Sequence, residues 1–203
     1  METTKPSGHA FDWHFGLPTL RGTTLTLREV RPDDAPSLLL MLGSEEVAEF
    51  VSPLPNTVEG FSGFIAEALS ERAIGRSFCF AVVPYGYEDA MGVFQVRGLD
   101  AAFQSAEWGF GLGSPFWGSG IFVEAANLVI EFSFKVVGVN RLEARSITAN
   151  RRGNSALSKL GALQEGVLRR SFQRDGRYFD QILWSILRDE WHARNQFFKQ
   201  KFH

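Results

Sequence analysis

Apolar and polar residues alternate along "TLTLREV" (24–30), the period of a half-buried strand. Pro32 and the acidic pair Asp33–Asp34 then open "DDAPSLLLMLG", where the apolar spacing becomes helical and Gly43 supplies a stop. After the loop "VSPLPN", a second helical pattern runs from Val58 to Arg72. Three strand patterns follow: "SFCFAVV" (77–83), "MGVFQVRGL" (91–99) and "QSAEWGFGL" (104–112), the first two separated by the turn "YGYED". From Gly120 to Val137 the period is helical again. Ile121, Ala125, Leu128, Phe132 and Val136 share one face, and Glu131 and Lys135 are spaced for an i,i+4 pair. "NRLEARSI" (140–147) predicts a strand, and "RRGNSALSKLG" (151–161) a short helix closed by Gly161. "ALQEGVLRRSF" and "RYFDQILWSIL" predict two strands joined at Arg174–Asp175–Gly176, where Asp-Gly between strand patterns signals a hairpin.

The order is strand, two helices, a meander, helix, strand, helix, hairpin. It predicts a single α/β (α+β) domain around a mixed sheet. Residues 1–18 read as an irregular arm, 19–190 as the domain and 191–203 as a tail. The tail's aromatic residues suit packing on the domain or on a second copy, which leaves a homodimer open.

Composition narrows the function classes. The 203 residues are 44% hydrophobic and 22% charged, enough for a sizeable core, with an unusual load of 19 Phe and 5 Trp. A net charge of -2 gives no ground for a nucleic-acid or membrane partner. The lone Cys79 is expected to be a reduced, buried strand thiol, in keeping with a cytoplasmic protein. "METTKPSGHAFDWHFG" has no unbroken apolar run of the kind a secretory signal needs. The most apolar later stretch is interrupted by Glu124, Asn127, Glu131 and Lys135, so it reads as an amphipathic helix rather than a membrane span. His9, His14, His192 and His203 match no metal-ligand spacing, so no metal is expected.

"SPFWGSGIFVEA" (114–125) carries the candidate chemistry. A glycine turn that feeds a helix presents backbone N–H groups and the positive end of the helix dipole, a setting suited to phosphate. The P-loop pattern is absent, and the Rossmann fingerprint fails because Val123 stands at its third glycine position. A nucleotide-binding oxidoreductase is therefore a remote alternative.

The stretch resembles the cofactor turn of the GNAT N-acetyltransferases, whose pattern is [Q/R]-x-x-G-x-[G/A] at the start of the long central helix. The downstream series is similar to the branch containing the ribosomal-protein N-terminal acetyltransferases (RimJ/RimL). Its pieces are Asn140–Arg141, Glu143–Ala144, Asn150, Lys159–Leu160–Gly161, Glu165–Gly166, Asp175–Gly176 and Asp180. The likeness spans roughly residues 17–190. It implies a mixed, mostly antiparallel sheet whose fourth and fifth strands splay apart, with helices on both faces. It also implies an acetyl-CoA cosubstrate and transfer to a primary amine, on a protein N-terminus or a small molecule.

By the same resemblance, Trp117, Gly118, Ser119, Gly120, Ile121 and Phe122 form the pyrophosphate turn, and Phe110, Gly111 and Leu112 pair with the pantetheine. Asn150 falls on the cofactor-contacting asparagine, and Glu107 on the acidic strand position that accepts the amine's proton. An apolar setting beside Trp108 or Phe110 would favour that carboxylate's protonated form. Between 140 and 160, Arg141, Arg145, Arg151, Arg152 and Lys159 face only Glu143 in the charge count, a bias suited to a phosphorylated ligand, with Arg152 the candidate contact. Glu45, Glu46, Glu49 or Glu59 would attract a cationic amine, and Phe50, Phe61, Phe64, Trp108, Phe116 and Trp117 are available to shape the acceptor cleft. The chain departs from the pattern in several places. Pro115 replaces the first Gln or Arg, the usual serine and tyrosine proton donors are Gly153 and Leu157, and Phe172 stands where relatives carry a hairpin carboxylate. Those departures motivate a second reading, a CoA-binding sensor without turnover.

Overall fold

The structure, a computed structural model, describes residues 11–49 and 54–201, with side chains as far as Arg194. Eight strands form one sheet: β1 (Leu20–Arg21), β2 (Leu25–Glu29), β3 (Ser77–Pro84), β4 (Gly92–Gly98), β5 (Ser105–Leu112), β6 (Arg141–Ile147), β7 (Leu163–Arg174) and β8 (Arg177–Leu187). Their spatial order is β1-β2-β3-β4-β5-β6-β8-β7. Every pairing is antiparallel except β5–β6, which is parallel and spans only Ser105↔Arg141, Ala106↔Leu142 and Glu107↔Glu143. Beyond Glu107 the two strands part. The splay expected between the fourth and fifth strands therefore falls between β5 and β6, because the two-residue β1 is too short to leave an alternating pattern.

Strand alternation builds two apolar layers, one on each face of the sheet. Phe78, Phe80, Phe94, Val96, Ala106, Trp108 and Leu142 face helix α4 (Ile121–Phe132). Cys79, Ala81, Val83 and Val93 face helices α1 (Ala35–Leu42) and α3 (Val58–Ala73). Strand β3 is consequently buried along its whole length, which is why "SFCFAVV" reads as an unbroken apolar run. Cys79 is a packed thiol whose burial pushes its ionisation well above the ordinary range.

Local chemistry sets the helix ends. Asp34 accepts a fork of hydrogen bonds from Arg28 (2.8 and 2.6 Å) and one from the Arg31 N–H (2.7 Å), fixing the entry to α1. Thr57 caps α3 by accepting from the Gly60 N–H at 3.0 Å. The helix predicted from Gly120 to Val137 is not continuous. It changes to a π turn over Ser133–Val137, and Gly138 closes that turn at φ 91°. The π turn rotates the last residues off the apolar stripe, so Val136 is exposed. In the regular part of the helix the buried face is wider than expected and also takes in Ala126, Val129 and Ile130. The Glu131–Lys135 pair forms as the spacing predicts.

Three segments differ from the sequence reading. Within the expected arm, Trp13 is 7% exposed and meets the rings of Phe78 and Phe103 at 5.6 and 5.5 Å, so this part of the arm belongs to the core. The expected domain edge at residue 190 falls inside helix α6 (Arg188–Lys201), whose Trp191 is buried near Phe134. A four-residue helix α2 (Glu45–Ala48) follows α1, a length at which periodicity carries no signal. At the β7–β8 turn, Asp175 (φ 47°) and Gly176 (φ 73°) adopt the left-handed pair that a two-residue hairpin needs.

Candidate active site

The splay is closed on one side by the turn before α4. Gly118 and Gly120 have φ of 76° and 89°, and a Cβ added to either would meet nothing within 4 Å. Glycine is required there by backbone conformation, not by crowding. The short turn Ser114–Phe116 leads in, and the Trp117 indole N–H donates to the Leu112 carbonyl at 2.8 Å. Trp117 packs partly buried against both apolar layers, where the sheet opens. Ser119 serves the turn itself, donating to the Phe116 carbonyl (2.6 Å) and accepting from the Ile121 N–H (3.3 Å). Glu124, one turn into α4, accepts from the Thr23 N–H, the Thr24 N–H and the Thr24 hydroxyl, tying the glycine turn to β2. Burial pushes the Glu124 carboxyl up, but these hydrogen bonds outweigh it and hold the group below the usual carboxylate range.

Helix α5 (Arg151–Leu160) forms the opposite wall, capped by the Asn150 side chain, which accepts from the Gly153 N–H at 2.8 Å. A Cβ at Gly153 would lie 2.6 Å from the Asn150 amide nitrogen, so a serine there would displace this cap. The Arg152 guanidinium stacks 3.6 Å from the centroid of the Trp117 ring and so joins the two walls.

Between the walls lies a cleft of about 450 Å³. Among the residues the sequence singled out, Glu46, Phe110, Gly111, Leu112, Trp117, Gly118, Gly120, Phe122, Asn150, Arg152 and Lys159 line it. Ser119 and Ile121 do not: the first is turned into its own loop and the second is buried in the core. Phe110 and Phe122 pack ring to ring at 4.6 Å and give the cleft an apolar floor. Ser155 also lines the cleft, whereas its neighbour Asn154 accepts from the Trp184 indole N–H at 2.9 Å. Leu157 is fully packed.

A second cavity, about 830 Å³, lies between α2 and the tip of the β7–β8 hairpin, lined by Glu45, Glu46, Glu49, Arg174 and Arg177 among others. Glu59 lines neither cavity, and Phe50 lies outside the described residues. Phe61 and Trp108 are core residues, Phe64 packs at the edge of the α1–α3 layer, and Phe116 sits edge-on to Tyr87 at 5.4 Å. Phe172 lies on the hairpin beside Phe179.

Glu107 holds the last rung of the β5–β6 pairing, where the strands begin to part. Alternation sends its side chain to the face opposite Trp108 and Phe110, so the apolar setting expected from those neighbours does not surround it. Its carboxylate instead lies 3.8 Å from Arg97 and 3.7 Å from Arg145, and it lines neither cavity. The expected cationic bias also divides by face. Arg141 is held by Glu143 (2.8 Å) and Glu165 (2.7 Å), Arg145 lies by Glu107, and Arg151 is exposed outside both cavities, leaving Arg152 and Lys159 in the cleft. Hydrogen bonds from Arg141 and Ser185 hold the Glu165 carboxyl down at about 2.

Known proteins share this fold. The acetyltransferase (GNAT) domain matches residues 24–163. The chain belongs to the GNAT acetyltransferase family. It is 26% identical over 176 residues to an uncharacterized N-acetyltransferase, p20, of Bacillus licheniformis, covering 86% of this chain and 99% of that protein. It is 25% identical over 121 residues to the [ribosomal protein uS5]-alanine N-acetyltransferase of Escherichia coli, covering 58% and 61% of the two chains. The fold is shared with Mycobacterium smegmatis RimJ, solved in complex with CoA-disulfide, at TM-score 0.74 and 24% identity, covering 82% and 83%. The protein is thus an N-acetyltransferase of a family that uses acetyl-CoA.

The residues present fit such a cosubstrate. The left-handed glycines leave the turn open, and first-turn N–H groups of a helix have no intrahelical acceptor. Beyond Glu107 the β6-facing edge of β5 has no strand partner, which leaves room for an extended amide arm. Among the described residues no group of His, Cys, Asp and Glu is arranged to hold a metal ion, and no helix is long and apolar enough to cross a membrane. The sequence reading missed α2 as an element, although Ser44 followed by Glu45 and Glu46 is a helix-start signal.

Proposed function

We propose that this acetyltransferase moves an acetyl group directly from acetyl-CoA to a primary amine, with no acyl-enzyme step. The observation that carries the reading is the β5–β6 divergence beside a positive-φ glycine turn, where one cleft is lined by the turn, β5, α5 and the Glu46–Val47 part of α2. In this reading the α4 turn, with Arg152 and Lys159, holds the phosphates. The free edge of β5 at Phe110–Leu112 aligns the pantetheine and offers N–H donors to the carbonyl oxygen as charge develops on it. The amine enters from the other face, by way of the cavity between α2 and the hairpin tip. A protein N-terminal amine is the acceptor class favoured by the name of the uS5-alanine relative. Two carboxylates stand as candidate proton acceptors, Glu107 on the strand and Glu46 on α2.

Thiol release from acetyl-CoA, measured over a panel of peptide N-termini and small polyamines, tests the proposal. Release should depend on acceptor, with mass spectrometry locating the acetyl group on nitrogen. Saturable binding of acetyl-CoA without release for any amine would favour the sensor reading, for which no structural observation speaks.

A further inference from the structure

The cofactor-side cleft and the hairpin-side cavity have one lining residue in common, Glu46. A route that follows the two cavities from the outer one to the splay runs beside Glu46. The element beneath it is well anchored for so short a helix. Val47 is 3% exposed and sits in the α1–α3 layer, and the Arg174 guanidinium donates to the Ala48 carbonyl from the hairpin tip. Glu46 itself is exposed and enters none of the ion pairs found among the described residues. Glu107 offers the opposite combination, flanked by Arg97 and Arg145 and outside both cavities.

We infer that Glu46, not Glu107, receives the acceptor's ammonium group and removes its proton. The inference rests on the acetyl-transfer reading above and names the residue that prepares the nucleophile within it. An amine arrives protonated at neutral pH and has no lone pair to attack with. Glu46 accepts one proton from nitrogen and passes it to solvent. The neutral amine then forms the C–N bond to the acetyl carbon as the C–S bond breaks, and the second proton on nitrogen ends on the departing sulfur. Ammonium and thioester thus give amide, thiol and one released proton.

The charged groups around Glu46 come from three elements. Glu45 and Glu49 flank it in sequence, and Arg174, Asp175 and Arg177 face it across the outer cavity from the hairpin. Arg152 and Lys159 face it across the cleft from α5. The neighbouring acids favour an ammonium at the outer mouth, while the cations of α5 keep that ammonium from moving deeper until it has lost its proton.

The test compares Glu46→Gln and Glu107→Gln with the wild type, using acetyl-CoA affinity and a pH profile of kcat/KM for the best acceptor amine of the panel. We expect Glu46→Gln to lose about a hundredfold at neutral pH, within the range of general-base effects. The deficit should close as pH rises past the free amine's own pKa, because solution then supplies the neutral nucleophile. Acetyl-CoA affinity should stay within twofold, and Glu107→Gln should lack the pH-dependent rescue. A Glu46→Gln profile parallel to the wild type, or rescue at high pH confined to Glu107→Gln, overturns the assignment of Glu46 alone. A wild type that releases no thiol with any amine overturns the underlying transfer reading as well.

Discussion

The two sides of the splayed sheet are built by different means. On the α4–α5 side the site is largely backbone: two left-handed glycines, a helix N-terminus, a strand edge without a partner and one stacked arginine. On the α2–hairpin side it is side chains on short or protruding elements, acids from a four-residue helix facing arginines from a turn. A backbone site recognises phosphate and amide geometry that every CoA thioester shares. A side-chain site is free to change with the amine. Under the proposed reading, donor binding then rests on backbone geometry and acceptor choice on side chains.

The contrast breaks most sharply at the glycines. Gly118→Val forces a β-branched residue to φ 76°, a conformation L side chains rarely adopt. Acetyl-CoA affinity, measured by calorimetry, should fall by tenfold or more. The melting temperature should also fall, through backbone strain alone, because a Cβ here meets nothing within 4 Å. A smaller effect is expected at Arg152, whose stack on Trp117 at 3.6 Å must loosen or shift for the guanidinium to reach a phosphate. Arg152→Ala should weaken acetyl-CoA several-fold and lessen the change in Trp117 fluorescence on binding. Equal fluorescence responses in variant and wild type would show that the stack does not sense the ligand.

The smallest effect lies away from both ligands. Glu165 is held down at about 2 by Arg141, against an ordinary value of 4.5. A carboxyl depressed in the native state adds stability above its unfolded value and loses it as pH falls from about 4.5 towards 2. Because the side chain is 38% exposed, solvent screening keeps this contribution below about 1 kcal/mol. Glu165→Gln should lower the melting point slightly at pH 7, with the difference shrinking in acid. A difference independent of pH would show that the Arg141 pair is not its source.

How much of this was legible in the sequence follows the same division. Strands β2 to β8 and helices α1, α3, α4 and α5 leave periods long enough to read, and Gly118, Gly120, Gly161 and Asp175–Gly176 mark turns that only certain residues can make. The cleft lining around Phe110–Leu112, Asn150 and Arg152 follows from the motif that carried the resemblance. The sequence does not show which face each charge occupies. Arg141 and Arg145 count towards the cationic bias of 140–160, but the alternation of β6 sends them to the face opposite α4. The apolar setting expected for Glu107 from Trp108 or Phe110 fails for the same reason, since its neighbours in space are arginines. Trp13 and Trp191 lie in segments without periodicity, yet each fills a gap in the core. Glu46 could be named as one of four acids; only the meeting of two cavities distinguishes it.

A calorimetric titration of the unmodified protein with acetyl-CoA, paired with the same titration of Gly118→Val, tests the site most directly. One saturable site per chain is expected in the wild type and a binding heat largely lost in the variant, with both proteins folded by circular dichroism. No binding to the wild type, or equal binding to a folded Gly118→Val protein, would contradict it.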